Sequence, residues 1–132
     1  MSITSLSSST QQLPPPILAT VGENAAVYFL RRRGLKILGR NIAYPCGEID
    51  IIAYDPLHRI RVVVEVKTRS SYTYGAAEAV DQKKLRRMRA TAILWAKTRI
   101  FLPMRFDVIT VVTRDGRFAE ITWYRGVDSG AR

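Results

Sequence analysis

Apolar residues recur at helical spacing early in the chain, at Ala25, Ala26, Phe29 and Leu30, and predict a helix over about Val21–Arg33. Thr20 followed by Glu23 reads as a capping box at its start, and Gly34 as its stop. The period then shortens. Leu35–Ala43, with Ile37, Leu38 and Ile42, reads as a first strand, Tyr44–Gly47 as a turn, and the Ile-rich Gly47–Tyr54 as a second strand. Asp55–Arg59, with Pro56 after Asp55, is a turn. Ile60–Arg69 is the strongest strand, and its three consecutive valines suggest a central position with apolar residues on both faces. Ser70–Gly75 reads as a loop. Ala76–Thr98 is helical, with Leu85, Met88, Ala92 and Trp95 in phase and Asp81 placed to cap a segment within it. Phe106–Thr113 and Phe118–Tyr124 are strands joined by the turn Arg114–Arg117. The order of helix, three strands, helix and two strands predicts an α/β fold, a mixed β-sheet of about five strands flanked by helices.

Composition narrows this picture. A length of 132 residues suits one domain, and a hydrophobic fraction of 47% argues against disorder of the whole chain. Residues 1–16 carry no charged side chain and are rich in Ser, Thr, Gln and Pro, so they read as a disordered tail. The folded domain is then expected over residues 17–126, with a flexible end over 127–132. The tail has neither the basic start nor the apolar core of a signal peptide, and no apolar run is long enough to span a bilayer. One cysteine, Cys46, and one histidine, His58, leave no internal disulfide, no cysteine-based zinc site and few histidine chemistries. The expectation is a soluble cytoplasmic protein.

Charge changes the picture more. Lys and Arg number 21 against 11 acids, a net charge of +10, which points to a polyanionic partner. Between Glu23 and Glu48 stand Arg31, Arg32, Arg33, Lys36 and Arg40 without an acid. Between Asp81 and Asp107 stand Lys83, Lys84, Arg86, Arg87, Arg89, Lys97, Arg99 and Arg105, again without one. Each run alone reads as a solvated helix face. Two in one small domain favour nucleic-acid contact, through Arg31, Arg32, Arg33, Arg69, Lys83, Lys84, Arg86 and Arg87.

The acids are the sharper signal, because several sit inside apolar strands. Glu48 and Asp50 share one strand face, and Glu65 and Lys67 another, opposite to Val62, Val64 and Val66. If the strands pair with Ala53 against Val62, Asp50 comes opposite Glu65. Opposed carboxylates are destabilising unless neutralised, and a divalent cation such as Mg²⁺ does this with carboxylates, waters and phosphate oxygens. The plain alternative is a surface Glu–Lys pair. Other polar residues read as structural first: Asp107 paired with Arg105, His58 solvated in its turn, Cys46 beside a turn. Tyr72 and Tyr74 suit either base stacking or packing over the sheet.

An Asp on one strand and a Glu-X-Lys on the next, after a helical Glu, resembles the PD-(D/E)XK nuclease superfamily. More narrowly, GENAAVYFLRRRG, GEIDIIAYD, VVVEVKTR, AVDQKKLRR and RFDV resemble the YraN-like family of small bacterial proteins, itself similar to archaeal Holliday-junction resolvases. The match runs from about Val21 to Val112. It implies a restriction-endonuclease-like fold and a Mg²⁺- or Mn²⁺-dependent endonuclease acting on DNA, branched or single-stranded. By position it makes Glu23, Asp50, Glu65, Lys67 and Gln82 catalytic, with Glu23, Asp50, Glu65 and the Val66 carbonyl as metal ligands. Two departures stand out: Ile49 rather than Pro precedes Asp50, and Arg86 occupies the Tyr position of a related Gln-X-X-X-Tyr pattern. The resolvase analogy also implies a homodimer. The competing expectation is a non-catalytic DNA- or RNA-binding protein using the same basic surface.

Overall fold

The computed structural model describes residues 13–70, 81–114 and 117–128. Helix α1 (Pro15–Arg32) starts earlier than its apolar stripe suggests. Pro14 is its N-cap and prolines occupy its first turn, where the missing N–H costs nothing and the fixed φ suits a helix. The last two residues of the expected tail are therefore helical. Thr20 lies inside the helix and its Oγ1 donates to the Pro16 carbonyl at 3.1 Å, so no capping box forms and Glu23 is left for other partners. The predicted stop holds. Gly34, at φ +87°, allows Leu35 N–H to reach the Leu30 carbonyl and Gly34 N–H the Arg31 carbonyl, a Schellman closure.

The strands are β1 (Lys36–Tyr44), β2 (Gly47–Asp55), β3 (Ile60–Arg69), β4 (Met104–Arg114) and β5 (Arg117–Tyr124). They form one sheet in the order β1-β2-β3-β4-β5, antiparallel except for the parallel β3–β4 pair. Asp55 closes the β2–β3 turn by accepting the N–H groups of Leu57 and His58 at 3.0 and 3.3 Å and the His58 ring at 2.8 Å. That turn sets the register, and Ala53 pairs with Val62 as predicted. β3 is the central strand. Val62 and Val64 pack with Ala26, Leu30, Ile51 and Ile109 under α1, while Val63 packs with Ile52, Leu85, Met88 and Trp95 on the other face.

Helix α2 (Gln82–Ala96) provides that second cover. Asp81 caps it, its Oδ1 accepting Lys84 N–H at 2.8 Å. It ends at Ala96, short of the predicted Thr98; residues 76–80 and the tyrosines 72 and 74 lie outside the described residues. Beyond β5, Val127 N–H donates to the Phe106 carbonyl and Asp128 lies 3.8 Å from Arg89, so contacts reach into the segment expected to be flexible.

Asp107, fully buried on β4, accepts Arg105 Nε and Nη2, Trp123 Nε1 and Gly126 N–H, all within 3.0 Å, which makes it a structural anchor. Gly22 lets α1 lie directly on β3, since a Cβ there would come within 1.9 Å of Thr68 Oγ1.

Candidate active site

The β2–β3 ladder runs from Asp55↔Ile60 to Ile51↔Val64 and there the strands part. Arg61 N–H turns toward the β4 side, donating to the Pro103 carbonyl, so alternation along the strand turns the Val66 N–H toward β2. No β2 carbonyl pairs with it. Asp50 supplies the acceptor instead, its Oδ2 lying 2.8 Å from Val66 N. This side chain is half-buried, and burial together with the nearby charges of Glu65 and Glu23 pushes its carboxyl up to about 6, against the pull of the Val66 N–H and Lys84. Asp50 is thus held near enough for the Glu65 charge to act on it, just beyond the last paired residues of the hairpin.

Glu65 is 7% exposed and is met by two ammonium groups, Lys84 Nζ at 2.7 Å and Lys67 Nζ at 3.5 Å. Burial, reinforced by the neighbouring Lys84 charge, holds Lys67 below the usual lysine range in spite of Glu65. Burial also works against the Lys84 ammonium, but its bond to Glu65 prevails and keeps it above that range. One carboxylate therefore organises two lysines of different character.

Glu23 reaches the site because the Gly22–Thr68 contact sets α1 against β3. Its Oε1 accepts Arg40 Nη2 at 2.9 Å and Asn41 Nδ2 at 3.1 Å, and Arg40 also donates to Asn24 Oδ1 at 2.6 Å. Glu23, Asn41, Asp50, Val66 and Thr68 line a cleft of about 300 Å³. Glu48, Asp50, Glu65, Lys84 and Arg87 line a second, of about 370 Å³. Asp50 forms part of both walls.

Among the described residues, no group of three or more His, Cys, Asp and Glu side chains gathers closely enough to hold a metal ion. The donors that suit a hard divalent cation are oxygens: the Asp50 and Glu65 carboxylates and the Val66 carbonyl, with water completing the shell. The electrostatics fit such an ion, because burial and the nearby charges of Glu65 and Glu23 oppose ionisation of Asp50, and a cation beside it would relieve that.

Of the expected site residues, Glu23, Asp50, Glu65, Val66 and Lys67 converge where β2 and β3 part. Gln82 is exposed on the first turn of α2 and lines neither cleft; Lys84, expected only to touch nucleic acid, turns inward from that same turn. Lys83, Arg86 and Arg87 are exposed on α2 beside them, and Arg69 ends β3, its Nη1 3.5 Å from the Thr68 carbonyl. Arg31–Arg33 are exposed at the far end of α1, about 12 Å along the axis from Glu23. Sequence reasoning missed Asn41 and the pairing role of Arg40. The one local signal is the φ of +50° at Asn41, a conformation asparagine tolerates, and that is visible only in the backbone.

The chain matches the uncharacterised protein family UPF0102 over residues 22–111. It is 45% identical over 118 residues to a UPF0102 protein of Corynebacterium efficiens, covering 87% of this chain and 94% of the relative. A UPF0102 protein of Renibacterium salmoninarum is 41% identical over 113 residues, covering 83% and 94% respectively. One from Mycobacterium tuberculosis is 41% identical over 116 residues, covering 83% and 91%.

Proposed function

This chain belongs to the uncharacterised family UPF0102, the YraN-like proteins, and we propose that it is a divalent-metal-dependent endonuclease hydrolysing phosphodiester bonds in DNA. The carrying observation is the half-buried Asp50, its carboxyl raised to about 6 beside Glu65, at the point where β3 presents Val66 and Lys67. A hydrogen-bonding role alone does not require a second acid there.

In this reading Asp50, Glu65 and the Val66 carbonyl hold Mg²⁺ or Mn²⁺. Such an ion, when bound, lowers the pKa of water and polarises a phosphate. The protein's own residues do the rest. Lys67, desolvated and beside Glu65, orients the attacking water and offsets the negative charge that builds on the phosphate. Glu23, steadied by Arg40 and Asn41, accepts a hydrogen bond from water in the cleft it shares with Asp50. Lys84 and Arg87 meet the neighbouring phosphates, and Lys83 and Arg86 extend that surface. Their density suits a branched substrate, where the phosphates of several strands converge.

The test is incubation of plasmid, single-stranded, flap and four-way DNA with Mg²⁺ or Mn²⁺, using wild type, Asp50→Ala and Lys67→Ala. Cleavage by wild type should fall at least a hundredfold in both variants. Equal nicking by all three proteins would overturn the proposal. A second reading draws on Lys84, whose ammonium already neutralises Glu65 at 2.7 Å: a non-catalytic nucleic-acid binder, DNA or RNA. Binding without cleavage, unchanged by Asp50→Ala, would favour it.

A further inference from the structure

A third cavity lies away from the acids. It has a volume of about 530 Å³ and lies between the start of β3, the start of β4 and the last turns of α2. Arg61 in its wall precedes Glu65 by four residues, about 13 Å along the strand. The volume is in the range of small-molecule sites.

Its chemistry is unusual for a gap between elements. Arg61 is 6% exposed, and its Nε and Nη1 are buried without a hydrogen-bond partner among the described residues. A buried guanidinium is costly unless an anion compensates it. The Trp95 ring lies 5.3 Å from its guanidinium carbon. Arg89, Lys97 and Arg99 also line the cavity, and Asp128 is its one acid. Arg99 lies 3.9 Å from the Trp95 ring centre and donates to the Trp95 carbonyl, which fixes its plane at the rim.

The remaining walls are apolar, with Met104, Phe106 and the 88% exposed Phe101 among them. Asp128 adds a complementary demand, because its Oδ1 is buried with no donor among the described residues. An occupant that answers all of these carries more than one negative charge, a flat apolar body and an N–H donor. A nucleoside phosphate has each: the phosphate for Arg61 and Arg99, the base for the exposed Phe101, and a base N–H for Asp128. A peptide carboxy-terminus offers a single negative charge.

We propose that this cavity binds a nucleoside phosphate, either a free nucleotide or the phosphorylated end of a strand, at a site separate from the acids. The inference does not depend on catalysis at Asp50. The experiment is calorimetric titration of the full chain with adenosine 5′-monophosphate, inorganic phosphate and a 5′-phosphorylated tetranucleotide. The monophosphate should bind once per chain and at least tenfold more tightly than inorganic phosphate. Arg61→Gln and Arg99→Gln should each weaken it about tenfold or more, and Phe101→Ala about fivefold, as lost stacking predicts. Arg99 and Phe101 are exposed, so these two variants keep the test valid where Arg61→Gln fails to fold. Asp50→Asn should leave binding intact even where cleavage is lost, which separates failure of this proposal from failure of the nuclease reading. Tighter binding of the tetranucleotide assigns the site to strand ends, and tighter binding of the monophosphate assigns it to free nucleotides. Binding no tighter than inorganic phosphate, or unmoved by both Arg99→Gln and Phe101→Ala, would overturn the proposal. So would a tighter complex with a short peptide ending in an apolar residue with a free carboxylate.

Discussion

Asp50 is protonated more readily in the fold than in the free chain, and this has a definite sign. Its folded value of about 6 lies above the ordinary 3.8, so between those values the native state binds more protons than the unfolded one. Stability from this group is present at low pH and is lost as pH rises through about 6. In metal-free protein, Asp50→Asn should therefore raise stability at pH 7 by on the order of 2 kcal/mol and have little effect near pH 4. Thermal melts of both proteins between pH 4 and 7.5 check this, and an equal effect at both ends would contradict it. Asp55 moves the other way. Burial pulls its carboxyl up, but the His58 ring and two backbone N–H groups outweigh that and hold it low. Its contribution is lost on acidification, so the difference between wild type and variant isolates Asp50. Asp107 belongs to another category, since removing it strips four hydrogen bonds and leaves the Arg105 guanidinium without its partner. Asp107→Ala should cost about 3–5 kcal/mol by urea denaturation.

Between elements, the site depends on one close approach and one divergence. Gly22 brings α1 onto Thr68, and any Cβ there must displace that side chain. Gly22→Ala should destabilise by about 1–3 kcal/mol and move Glu23 from the cleft, lowering cleavage. Thr68→Ala in the same chain should restore part of the stability, and purely additive effects would show that the contact is not the cause. The divergence of β2 from β3 beyond Ile51↔Val64 exposes the Val66 N–H that Asp50 then accepts. The strand register was legible in the sequence, because a tight Asp55–Arg59 turn between apolar strands leaves few alternatives. The start of α1 was not. A helix opening on consecutive prolines has no apolar periodicity in its first turn, and Thr20 and Glu23 imitate a cap that the helix has already passed. Gln82 and Lys84 show the same limit: two residues of phase on a helix decide which side chain enters, and only packing against the sheet sets that phase.

At the scale of the whole molecule, the net charge of +10 is spread over separate surfaces. Lys83–Arg87 at the start of α2 lie beside the acids, Arg89, Lys97 and Arg99 line the cavity with Arg61, and Arg31–Arg33 project from the other end of α1. If DNA is bound at the acidic site, replacing Lys83, Arg86 and Arg87 with Gln should flatten the salt dependence of binding by a slope of about 2–3. Replacing Arg31–Arg33 should change it less. Equal effects would place nucleic acid across both ends. No described helix is long and apolar enough to cross a membrane.

The sequence alone determined the five strands, the hairpin register and the facing of Asp50 toward Glu65, because strand alternation and a short turn are local constraints. It also supported the family resemblance, which rests on short runs of residues. Tertiary structure decided what no local rule contains. It selected Lys84 over Gln82 and tied Glu23 to Arg40 and Asn41. It turned Asp107 into an anchor, and it buried Arg61 Nε and Nη1 with no hydrogen-bond partner among the described residues. Each of these depends on which distant segment closes over a side chain, and burial, which sets the energy of a charge, comes into being only when the elements pack.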